Sequence, residues 1–142
     1  MINTELIKEC LDVIDLKYTE LDDGGIAVTF YDEEFFPYQV VTFIRVADDR
    51  LLTFSTRAVD FHPEGDLLAM CNRHNCRCHA LAAYIDDDGD VVMDRAFVLE
   101  DEVSPHFVLN CVVRPSIFLP MESFVNFTLS DDELEEKCRR QQ

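Results

Sequence analysis

The sequence predicts an α+β fold with the element order α-β-β-β-α-β-β-α, an antiparallel twisted sheet with helices packed on it. Three observations predict it. Apolar residues recur at helical spacing in three capped segments. Between them lie short runs rich in β-branched and aromatic residues. The links between consecutive strands are short, which suits antiparallel pairing rather than parallel crossovers. The 142 residues are 48% apolar, enough for one core. Residues 1–128 read as a single domain and residues 129–142 as a charged helical tail.

Asn3 or Thr4 can cap a first helix running to about Ile14. Leu6, Cys10, Val13 and Ile14 recur there at helical spacing, and Glu5 and Glu9 lie near the end that favours acids. Three strand-like runs follow: Gly25 to Tyr31 after the turn signal DDGG, Tyr38 to Ala47, and Arg50 to Ala58 after Asp48-Asp49. In the last run Leu52, Phe54, Thr56 and Ala58 share one face, the pattern of a sheet buried on one side. Pro63 marks a second helix start, with Leu67, Met70, Cys71 and His74 forming a two-turn stripe that ends near Asn75. Arg77 to Ile85 and Val91 to Leu99 make a hairpin around Asp86-Asp87-Asp88-Gly89-Asp90, where a primed turn with Gly at positive φ is expected. Ser104-Pro105 opens a third helix. Pro115 is expected to kink or end it, and Pro120 offers a second break. Ser130 and Glu133 form a capping-box signature for the tail helix.

The chain has 29 acidic and 12 basic residues, a net charge of −17. Nucleic acid and anionic membranes are poor partners for such a surface, because phosphates are repelled. No run of 18 apolar residues occurs, so no membrane span is expected. The first residues lack a basic segment followed by an apolar one, so no signal peptide is read. Six cysteines (Cys10, Cys71, Cys76, Cys78, Cys111 and Cys138) are then expected to be reduced thiols in the cytoplasm.

Four of the Cys/His residues within 71–79 raise a metal reading. Cys71, His74, Cys76 and Cys78 could in principle form one tetrahedral site in a small metal-binding sensor, but their spacing matches no known zinc pattern. The competing expectation is core thiols and surface histidines, with no metal and no cofactor. A thiol-dependent enzyme is the other alternative. His106 and Cys111, five residues apart on one helix, point about 140° apart and pair poorly. The DDDGD turn fails as a calcium loop: with Gly89 at position 6, Tyr84 and Arg95 fall where acids are needed. Phosphate-loop, dinucleotide, zinc-protease and hydrolase-elbow motifs do not occur.

Surplus apolar groups are the remaining functional clue. Phe35 and Phe36 lie between two strands, and Phe118, Met121 and Phe124 exceed what one helix face needs. These five are the candidate partner contacts.

Asn72 and Asn75 precede the hairpin, a strand ends at Ile85, and Asp86 to Val92 leads into the next strand. Tyr18 stands before DDGG and three strands. In these residues the chain resembles the YbjN-like family of bacterial proteins, described as sensory transduction regulators, over about residues 4 to 127. That family is similar in fold to class I type III secretion chaperones, small acidic and usually dimeric proteins that bind extended client segments. The resemblance implies a non-catalytic interaction module: chaperone-like or a regulatory adaptor, homodimeric, with a protein partner and no catalytic residues to carry over. Pro115, Pro120 and the Cys/His cluster depart from the family pattern.

Overall fold

The computed structural model describes residues 2–100 and 102–141. The elements are α1 (Thr4–Val13), β1 (Tyr18–Glu20), β2 (Ile26–Phe30), β3 (Val40–Ala47), β4 (Leu51–Ala58), α2 (Leu67–Arg77), β5 (Ala82–Ile85), β6 (Val91–Val98), α3 (Pro105–Phe107), a π-helical segment (Val108–Val113), α4 (Arg114–Asn126) and α5 (Asp131–Arg140). The strands form one antiparallel sheet in the order β1-β2-β3-β4-β6-β5. The α+β expectation holds, with β1 added. Three residues are too few to show a period, so that strand left no signal in the sequence.

Local chemistry explains where elements begin and end. Asn3 caps α1, its side chain accepting from the Leu6 N–H at 2.9 Å. The buried face of α1 is Ile7, Cys10 and Leu11, with Leu6 and Ile14 at its margins, while Val13 is 67% exposed. The stripe read from the sequence was therefore displaced around the helix. Asp66, not Pro63, starts α2: its carboxylate accepts from the Ala69 N–H at 3.1 Å, and Gly65 at φ +115° breaks the chain just before it. The β3–β4 turn places Asp48 and Asp49 at φ 54° and 58°, the primed geometry that matches strand twist. The β5–β6 turn is not primed. It is a three-residue loop with Gly89 at φ +83°, closed by Gly89 N–H to Asp86 O and Asp86 N–H to Asp90 O, both 3.0 Å.

The helix after Ser104 does not break. Pro115 has no N–H and its ring would crowd the carbonyl four residues back. The turn before it widens instead, the Arg114 N–H reaching Leu109 O, five residues back. Ser116 Oγ donates to the Val112 carbonyl at 2.5 Å. Pro120 lies inside α4, again without ending the helix. By length and hydropathy alone Pro105–Asn126 could cross a membrane, with mean hydropathy 1.3, which departs from the sequence expectation. Half of that stretch is buried in the fold, as in a core helix.

The inner sheet face carries two apolar clusters. One joins α1, β2, Ile44, Leu52, Phe54, the π-helical segment and Ile117. The other joins Phe36, Val40, Phe61, Cys71, Leu81, Ala83, Met93, Met121, Phe124 and Phe127. A polar belt runs between them. Thr42 and Thr56, opposite each other on β3 and β4, share a buried hydroxyl–hydroxyl hydrogen bond of 2.9 Å. Arg95 on β6 donates to Ser116 Oγ on α4 at 3.1 Å and lies 4.8 Å from the Phe97 ring centre. Burial pushes the Arg95 guanidinium below its ordinary pKa.

Candidate functional site

The two edges of the sheet are unlike. β5 lies at one edge, and in an antiparallel pair alternate residues turn their N–H and C=O outward. At Ala83 these outward groups meet Asn75 of α2. The Asn75 carboxamide accepts from Ala83 N–H at 2.8 Å and donates to Ala83 O at 3.1 Å. One side chain thus makes the two bonds a neighbouring strand would make. One helical position earlier, buried His74 uses Nε2 on the Leu81 carbonyl at 2.9 Å, so that nitrogen carries the proton. α2 therefore covers the β5 edge at Leu81 and Ala83. Holding α2 there extends it to Arg77, so the strand expected from Arg77 begins only at Ala82.

β1 forms the other edge, with no strand beyond it among the described residues. It is positioned by the DDGG turn, where Leu21 N–H donates to Gly25 O at 2.8 Å and Gly24 has φ +88°. Asp23 accepts from Gly25 N–H at 3.0 Å and from Arg45 at 2.5 Å. The Gly25 N–H, then Arg45, hold its carboxyl below the usual range. A Cβ on Gly25 would stand 2.7 Å from Arg45 Nη1, so a side chain there would displace the guanidinium from Asp23. Following the ladder alternation from Leu21–Gly25, Thr19 pairs with Ala27, while Tyr18 and Glu20 turn their backbone groups outward. Lys8 of α1 pairs with both Glu20 and Glu5, which raises its pKa, and braces the strand from below.

The five candidate contact residues do not form one surface. Phe36, Met121 and Phe124 are core residues: Phe36 rings lie 5.2 Å from Tyr38, 5.6 Å from Phe61 and 6.3 Å from Phe124. Their assignment as partner contacts is corrected, because each is at most 5% exposed. Asp32 explains the split in the Phe35-Phe36 pair, since its carbonyl accepts from both amides and folds the loop so that Phe36 turns inward. Phe35 is 50% and Phe118 41% exposed. Phe118 packs edge-on against Phe30 at the end of β2, centroids 6.3 Å apart, beside the open edge. The sequence names Tyr18 and Asn75 but shows neither the edge position of Tyr18 and Glu20 nor the contact of Asn75 with Ala83.

The Cys/His constellation does not assemble. No group of three or more His, Cys, Asp or Glu able to hold a metal ion occurs among the described residues. Cys71 is buried, which raises its thiol pKa, whereas Cys76 is exposed. Cys78 and His79 follow the end of α2, outside any strand. His106 contacts Asn110, at 3.2 Å, rather than Cys111. In the DDDGD turn Asp86 is spent on the Asp88 and Asp90 amides and on Arg57, at 3.0, 2.9 and 2.6 Å. The Asp90 N–H foremost, with Arg57, lowers its pKa.

A six-stranded antiparallel sheet with helices packed on it places the chain among the α+β folds. Its fold is similar to the Yersinia pestis type III secretion chaperone SycH, solved in complex with a stable fragment of YscM2, at 12% identity and TM-score 0.56, over 88% of this chain and 98% of that one. The chain belongs to the YbjN family, described as "Putative bacterial sensory transduction regulator", whose model matches residues 3–109. Among curated proteins nothing matches.

Proposed function

We propose that the chain is a non-catalytic, chaperone-like protein that binds an extended segment of a partner protein as an added strand on β1. The observation that carries this reading is the asymmetry of the sheet edges. Asn75 and His74 cover one edge at Leu81 and Ala83, and the other presents the Tyr18 and Glu20 backbone groups. Strand addition draws affinity from such main-chain groups and specificity from neighbouring side chains. Phe118, Phe30 and exposed Tyr31 stand at the end of β2 to receive an apolar side chain. The fold shared with a chaperone solved with a partner fragment supports the same reading. The protein acts in the cytoplasm as a homodimer in this view. Cross-strand neighbours Leu51 and Val98, the latter 71% exposed, stand on the open sheet face as apolar surface for a second copy.

The test selects binding peptides from a random 15-residue library and follows hydrogen exchange of the bound chain. Slowed exchange at the Tyr18 and Glu20 amides is expected. Glu20→Pro removes an outward N–H while sparing the ladder bonds of Thr19, and should weaken binding at least about tenfold. Protection confined to other elements, or full binding by Glu20→Pro, refutes strand addition at β1.

A further inference from the structure

The tail helix α5 rests on a groove between α2 and α4 that it does not fill. α5 forms for local reasons: Ser130 and Glu133 make a reciprocal capping box, acids occupy its first turn and bases its last. None of its residues is buried. Three side chains on one face hold it down. Asp131 receives Arg77 Nε and Nη2 at 2.9 and 2.6 Å, and the same Nη2 donates to Leu129 O at 2.9 Å. Lys137 Nζ donates to Asn126 Oδ1 at 2.5 Å. Between them, half-buried Leu134 walls a recess of about 210 Å³ shared with His74, Cys78, Leu119 and Phe127.

These attachments are weak for an element of this size. The Asp131 carboxylate is 82% exposed, and an ion pair in that setting stabilises little. The recess left beside Leu134 means the groove accepts more apolar volume than α5 supplies. Its recognition chemistry is nonetheless specific: a guanidinium fork at one end, an apolar hollow in the middle, and amide and carboxylate groups of Asn126 and Glu122 at the other.

We propose that the α2–α4 groove is a docking site for an amphipathic helix of a partner protein, carrying an acid, a large apolar residue and a lysine at i, i+3 and i+6. α5 occupies the groove in cis as a displaceable stand-in, with Asp131, Leu134 and Lys137 in those places. This site is separate from the β1 edge and does not rest on strand addition there.

The full chain is tested against a fluorescent peptide of residues 129–142 with Cys138→Ser. Two release variants, Leu134→Asp and Lys137→Glu, alter α5 alone and leave the groove intact. Each should bind the peptide at least about tenfold more tightly than the wild-type chain, in which α5 already occupies the groove at high effective concentration. Adding Arg77→Ala to either should abolish the gain. The second readout is alkylation of Cys78 in a chain with exposed Cys76, Cys111 and Cys138 changed to Ser. Labelling should be faster in the release variants and slowed again by the peptide. If both folded release variants bind the peptide no better than wild type, or if Cys78 labels at one rate throughout, the docking site is refuted. Exchange at Tyr18 and Glu20 is read separately, so the two proposals can fail independently.

Discussion

Replacing Asn75 by Leu removes the carboxamide from the β5 edge while keeping nearly the same shape. Two hydrogen bonds to Ala83 are lost, of 2.8 and 3.1 Å. Neutral hydrogen bonds contribute about 0.5–1.5 kcal/mol each, and groups left near water recover part of that, so the expected loss is about 1–2 kcal/mol. For a chain of this length the melting entropy is about 0.3 kcal/mol/K, giving a fall in Tm of about 3–7 °C. Urea unfolding should show a lower midpoint at unchanged slope. A second effect has no counterpart in ordinary surface substitutions. The unsealed β5 edge becomes a template for pairing with another chain, so concentration-dependent association should appear in size-exclusion profiles. Asn75→Asp sharpens the test. It retains an acceptor for the Ala83 N–H but sets a carboxylate against the Ala83 carbonyl, so its stability should fall below that of the parent chain. Equal midpoints for the Leu variant and the parent, with no new association, would show that the amide does not seal the edge.

Other expectations follow from the same geometry. Thr42→Val alone strands the buried Thr56 hydroxyl and should cost about 1–3 kcal/mol, whereas the double variant Thr42→Val/Thr56→Val should be nearly neutral. A double-mutant cycle by urea unfolding reads this, and simple additivity refutes it. Phe124→Ala opens a cavity among packed rings and should cost about 3–5 kcal/mol, while Phe118→Ala should cost less than half as much and act on partner binding instead. Asp23 and Asp86 have lowered folded pKa values. The unfolded chain therefore takes up these protons at higher pH than the folded one. Their stabilisation is complete above about pH 4 and is lost as pH falls through the folded values. Tm measured from pH 7 to pH 3 should drop in that window, and less steeply for Asp86→Asn. Parallel curves for the two chains contradict the assignment.

Much of the fold was legible because its signals are local. Alternation in Leu52, Phe54, Thr56 and Ala58 named the buried face, and the Ser130–Glu133 spacing named the tail helix. What could not be read depends on contacts between distant segments. β1 exists because the DDGG turn folds it against β2, not because YTE is strand-like. Pro115 reads as a helix end until the π-helical turn makes room for it. Phe36, Met121 and Phe124 look like surplus apolar groups along the chain, and only the packing of α4 on the sheet assigns them to the core. The edge site was illegible for the same reason. Whether a strand edge is open depends on what tertiary structure lays beside it, and Asn75 reports that only in three dimensions.

The polar belt has a consequence for alignment. Arg95, one cross-strand row along from Thr42 and Thr56, meets Ser116 of the helix above the sheet. Greasy surfaces alone allow a helix to slide by a turn at small loss, since one aliphatic contact replaces another. Moving α4 one turn either way would put an aliphatic side chain such as Val112 or Val113 over the Arg95 guanidinium and leave Ser116 without it. The belt works as an index mark, setting the axial position of α4 as a detent sets a sliding bolt. The positions of Phe118 at the open edge and of Leu119 in the α5 groove are inherited from that setting.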